Sequence, residues 1–161
     1  EAPSPGRWAA GVGTGFLTST PDGVEFALQG HADYFVSRRV SVGLLGQAAL
    51  GGNDHLLGLS GQARYWWSLP GAGGGLWLAV QGGIGVVWAD IEDSDSGVSD
   101  TYTSFLIPIG VGLEYAVNPR MAVTADFLLN FTSLGETVRV RGREFDLHTN
   151  VMPGFYLGVR F

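Results

Sequence analysis

Large apolar residues recur at every second position over most of the chain, and glycine, small or polar residues fill the positions between. The stretch 101–117 is the clearest: Phe105, Ile107, Ile109, Val111, Leu113, Tyr115 and Val117 alternate with Ser104, Pro108, Gly110, Gly112 and Glu114. Period two marks a β-strand whose two faces meet different surroundings. The pattern returns at about 7–19, 24–36, 40–50, 55–67, 71–90, 121–133 and 147–161, which predicts eight strands. Segment 71–89 is long and apolar enough to be weighed as a membrane helix, with Gln81 its one strongly polar residue. Its glycines at 71, 73, 74, 75, 82, 83 and 85 each cost a helix roughly 1 kcal/mol, and its large residues alternate, so it too reads as a strand.

Turn signals separate the segments. Ser37-Arg38-Arg39, Pro70-Gly71 and Asn118-Pro119-Arg120 make short connections after the second, fourth and sixth strands. Longer connections follow the fifth and seventh, at about 91–100 and 134–146. Short turns on one rim and longer loops on the other suit an outer-membrane barrel with both termini in the periplasm. Each segment is long enough to cross a bilayer at barrel tilt. The expected fold is an all-β, eight-stranded antiparallel up-and-down transmembrane barrel occupying residues 1–161 as one domain.

Composition sharpens this picture. Apolar residues make 45% of the 161 positions and charged residues 15%, too few to surround a water-soluble domain of this size. The apolar face therefore points to lipid and the Gly-rich polar face inward, the reverse of a soluble barrel. Aromatics gather near strand ends: Trp8, Tyr34, Trp66, Trp67, Trp77 and Tyr115 toward one rim, Trp88, Tyr102 and Phe131 toward the other. Such girdles sit at headgroup level. A net charge of −6 argues against a nucleic-acid partner, and the absence of cysteine removes disulfides and thiolate metal sites. The start Glu1-Ala2-Pro3-Ser4-Pro5 reads as a processed or trimmed end.

The last eight residues, GFYLGVRF, end on Phe161 with Val159, Leu157 and Phe155 at alternate positions before it. This resembles the terminal-strand signal of outer-membrane barrels. The run Ile107 to Tyr115 followed by Asn118-Pro119-Arg120 resembles the sixth strand and last turn of small OmpA-like barrels. The resemblance implies a bacterial outer-membrane location and recognition of Phe155, Leu157, Val159 and Phe161 by the barrel-assembly machinery. It implies outer-membrane lipids and lipopolysaccharide as surroundings and a monomeric state. It implies little about function, because such barrels include anchors, adhesins, enzymes and small channels.

The interior of an eight-stranded barrel is only wide enough to be filled by side chains. Heights counted from the strand ends gather Asp33, Arg64, Glu114 and Asp126 near one level, with His31 just above Asp33 and Arg160 lower. Arg64 is expected to be the shared partner of the acids, since like charges that close cannot all stay ionised without a cation between them. A polar interior network is one reading; a gated ion path is the other. Catalysis would need an activated nucleophile, and His148 with Thr149 and Glu144 is the one candidate, weakened because neighbours along a strand face opposite sides. His55 is expected at a loop rim, solvated. The loop 90–100 is dense in carboxylates but its spacing matches no EF-hand, and Arg139, Arg141 and Arg143 could meet lipopolysaccharide phosphates. No catalytic, metal or cofactor site is expected. The leading function is a structural or surface-interaction role, with a narrow channel or route for small apolar molecules second and a lipid-modifying enzyme third.

Overall fold

Alternation with period two produces long strands that close on one another in the computed structural model, which describes residues 5–20, 23–51, 54–69, 75–93, 98–132, 138–140, 143–145 and 151–161. The strands are β1 (Trp8–Thr20), β2 (Gly23–Phe35), β3 (Val40–Leu50), β4 (Asp54–Ser68), β5 (Leu76–Asp93), β6 (Val98–Asn118), β7 (Met121–Thr132), β8 (Val138–Val140), β9 (Arg143–Phe145) and β10 (Val151–Arg160). Eight of them form a closed antiparallel barrel in the order β1-β10-β7-β6-β5-β4-β3-β2. β8 and β9 make a separate two-stranded hairpin inside the connection expected to be a plain loop. No helix occurs among the described residues, so the segment weighed as a membrane helix is a strand from Leu76 onward.

β5 and β6 extend further than the hydrophobic pattern suggests. They pair out to Asp93 opposite Val98, so most of the acidic stretch 90–100 is ladder rather than loop. The seam between β1 and β10 runs from Gly11 opposite Arg160 to Leu17 opposite Gly154. It is extended by reciprocal backbone bonds between Ala10 and Phe161. A bulge between Thr18 and Thr20, with Ser19 at φ 60, flips the parity of β1 so that Leu17 and Thr20 both point inward.

Both described chain ends, the turns at 36–39 and 118–120, and the facing ends of β4 and β5 lie at one rim, called here the terminal rim. The outer wall is apolar along every strand: Val12, Phe16, Leu44, Leu57, Ile84, Ile109, Leu113, Phe127 and Leu157 are all exposed, Ile84 by 71%. A continuous apolar surface of that kind is the surface of a protein that lives in lipid. Trp66 and Trp77, expected in the aromatic girdle, correct that expectation. Trp66 is 2% exposed and Trp77 packs against it in an interior cluster with Ala9, Phe35 and Ala79. Their parity, shared with Arg64 and Gln81, sends them inward.

Candidate functional site

Chemistry in this chain is concentrated in the lumen, and the strand periodicity puts it there. β2 sends Glu25, Ala27, Gln29, His31, Asp33 and Phe35 inward; β4 sends Leu56, Ser60, Gln62, Arg64 and Trp66. Reading from the terminal rim, three kinds of surroundings follow one another. Phe35, Trp66, Ala9 and Ala79 with Trp77 come first. Charged and amide side chains occupy the middle. Leu17, Ala27, Leu45, Ala49, Leu56, Val87, Leu106, Leu128, Met152 and Tyr156 make a second apolar cluster toward the far rim.

The middle layer holds all six residues expected in the polar network, arranged as two ion pairs rather than one hub. Arg64 Nη1 lies 3.2 Å from Asp33 Oδ2, and Gln62 Nε2 donates to Asp33 Oδ1 at 3.2 Å. His31 Nε2 is 3.7 Å from Asp33 Oδ2. Glu114 pairs instead with Arg160, whose Nε donates to Oε2 at 2.6 Å while Nη2 meets Oε1. Asp126 accepts from Gln29 Nε2 at 2.8 Å. Arg64 is therefore not the common partner of three acids. Arg160 stands lower on its strand, but its long side chain reaches Glu114 and lies 5.7 Å from the ring of Phe35 and 5.5 Å from that of Trp66. Those distances are in cation–π range, so the apolar layer at the terminal rim also carries part of the charge compensation. Trp66 Nε1 donates to Ser41 Oγ at 3.0 Å, which satisfies the indole that burial would otherwise strand.

Glycines on the inner face make room for this layer. A Cβ at Gly11 would overlap the His31 imidazole, and one at Gly112 would overlap the Asp126 carboxylate. The lumen offers more polar atoms than its own hydrogen bonds use: among the described residues Arg64 Nε and Nη2, both His31 ring nitrogens, the Gln81 amide, Gln47 Nε2 and the Tyr156 hydroxyl make no hydrogen bond. Each is buried, and buried polar atoms in folded proteins are satisfied by one another or by enclosed water.

Of the catalytic candidate, His148 and Thr149 lie outside the described residues, and Glu144 is placed only as backbone of β9, opposite Arg139. Arg141 also lies outside the described residues. His55 is exposed at the far end of β4. Among the described residues no group of three or more His, Cys, Asp or Glu side chains is placed to hold a metal.

The feature that sequence reasoning missed is the far apolar cluster. Leu45 shares parity with Ser41 and Gln47, and Leu128 sits between Asp126 and Asn130, so the inner face was legible as partly apolar position by position.

Comparisons with known proteins agree on what the architecture is. The N-terminal β-barrel domain of Pseudomonas aeruginosa OprF superposes with a TM-score of 0.61 at 18% identity, over 97% of this chain and 98% of that one. Neisserial surface protein A (NspA) does so with 0.68 at 15%, over 95% and 94%. Ail, the attachment invasion locus protein of Yersinia pestis, does so with 0.58 at 14%, over 98% and 99%. At these identities the likeness is one of fold. A search of curated protein sequences finds no match. The model of the outer membrane protein beta-barrel domain matches residues 1–152, and the chain belongs to that family.

Proposed function

We propose that this chain is a non-conducting, non-enzymatic barrel of the bacterial outer membrane, with a structural or surface-interaction role and a lumen closed by its own side chains. The observation that carries the reading is the stacking inside the barrel. A charge-paired polar layer lies between an aromatic layer at the terminal rim and an aliphatic layer toward the far rim. An ion crossing it would shed water against Leu45, Leu106 and Leu128 and displace paired charges below them. An eight-stranded lumen leaves no spare width for either.

In this reading the terminal rim is periplasmic. Its short turns at 36–39 and 118–120, against the long connection between β7 and β10 with its β8–β9 hairpin on the other rim, support that orientation. The strand-end residues Phe155, Leu157, Val159 and Phe161 would present the assembly signal, and the far rim would meet lipopolysaccharide and extracellular partners. Ail has been solved with the heparin analogue sucrose octasulfate, and Arg139, Arg141 and Arg143 are the residues of this chain suited to a comparable polyanion. Arg139 and Glu144 stand opposite each other in the backbone register of the hairpin.

Planar-bilayer recording tests the closed lumen. Purified, folded protein should give no steady conductance, and Leu128→Ala combined with Leu45→Ala should begin to leak. Reproducible nanosiemens-scale openings in the wild type would overturn the reading in favour of a channel.

A further inference from the structure

The outer wall has a depression over the strand that carries Arg64. β4 presents Trp67 and Tyr65, then Ala63 and Gly61, then Leu59 to the outside. Ala63 pairs with Val42 on one side and Gly82 on the other, and Gly61 pairs with Leu44 and Ile84. Three small residues thus form a floor between the ridge of Val42 and Leu44 and the ridge of Ile84. The tilted rings of Trp8 and Tyr34, 5.2 Å apart, close its β1–β2 side. The depression runs across the wall from Trp8 on β1 to Ile84 on β5, four strand spacings or about 19 Å. That is an acyl chain's length rather than a side chain's.

Charge supplies the second observation. Trp66 N donates to Arg39 O at 2.8 Å, which fixes the turn between β2 and β3 at the foot of this notch. The turn carries Arg38 and Arg39, both exposed. The acids of the neighbouring strand interior face the lumen instead: Asp33 pairs with Arg64, and Glu114 with Arg160. Tyr65 lies between the arginines and the small-residue floor, with Trp67 beyond it at ring-centroid distance 4.4 Å, at the level where aromatic rings meet headgroups.

We infer that the notch over Ala63, Gly61 and Gly82, with Arg38 and Arg39 at its foot, is a binding site for an anionic phospholipid. The phosphate would be held by the two guanidiniums, the ester region would lie against Tyr65 and Tyr34, and one acyl chain would fill the notch. Arginine suits this because its planar fork meets phosphate oxygens in pairs. The apolar floor alone would take any lipid tail or a second copy of the barrel; the arginine pair selects an anionic lipid. The site rests on the membrane-embedded barrel of the family and fits the proposed periplasmic orientation of this rim. The test below depends on neither orientation nor conductance.

The experiment is native mass spectrometry of the folded full chain released from mixed phosphatidylglycerol and phosphatidylcholine vesicles, with heat-modifiable mobility as the check on folding. Wild type should retain phosphatidylglycerol in preference to phosphatidylcholine. Arg38→Ala/Arg39→Ala should lower phosphatidylglycerol retention roughly tenfold, in line with the attraction of two basic side chains for an anionic headgroup. Gly61→Leu, which fills the notch from the outside and leaves the lumen untouched, should lower it roughly fivefold without changing the charge. Equal retention of the two lipids by wild type would overturn the proposal, as would an unchanged result for Gly61→Leu. A lipid-independent dimer that Gly61→Leu disperses would assign the notch to a second copy and overturn it as well.

Discussion

The two halves of the lumen are built on different rules. Toward the terminal rim, Asp33, Arg64, Glu114 and Arg160 are matched in pairs, and nearly every contact is directional. Toward the far rim, Leu45, Leu56, Leu106, Leu128 and Met152 fit by volume and need no particular partner. The same eight walls enclose both. The difference teaches that, inside a narrow barrel, tolerance to substitution is set by depth rather than by face. In the paired half a lost partner leaves a charge behind; in the aliphatic half a lost side chain leaves a hole.

Removing one partner from the paired half should have the largest effect. Arg64→Ala leaves Asp33 buried without its cation and should destabilise by about 3–5 kcal/mol in urea unfolding from lipid vesicles. The double variant Arg64→Met/Asp33→Leu should recover most of that loss, because it removes both charges together. If the double variant is as unstable as the single, the two halves do not differ in the way described. Leu128→Ala in the aliphatic half should cost roughly 3 kcal/mol through the cavity it opens, and Leu128→Met should cost far less. A comparable loss for both would mean that the far cluster is as specific as the polar layer. The outer wall gives the reference point: Leu113→Arg, on the lipid face between mid-depth and the terminal rim, should cost about 2 kcal/mol. Wild-type stability for that variant would mean that Leu113 does not face hydrocarbon.

Strand number, closure and the inward set were legible because period two leaves little freedom: Asp33, Arg64, Glu114 and Asp126 share a face with glycines that no solvated surface would use so freely. Four things were not legible, each for its own reason. Leu45 and Leu128 were passed over because a face was taken as one environment, although its character changes along the strand. The partner of Glu114 was misassigned because backbone height ignores how far an arginine side chain climbs, and Arg160 climbs to it. The notch over Ala63, Gly61 and Gly82 depends on which residues stand side by side across β3, β4 and β5, and register between strands is not written in any one of them. The hairpin β8–β9 was hidden by its shortness, since three residues a side carry no measurable alternation.

The seam between β1 and β10 sets an order of events. Every other barrel neighbour is joined to its partner by the intervening chain, whereas β1 and β10 come from opposite ends of the sequence. β10 also brings Arg160, the ion-pair partner of Glu114. Until the last strand docks, β6 carries an acid with no counter-charge and the layer of Phe35 and Trp66 lacks the guanidinium that lies over it. Closing the wall and neutralising the interior are therefore a single step. A barrel left open at this seam would be marked as incomplete by its electrostatics as well as by its unpaired edges.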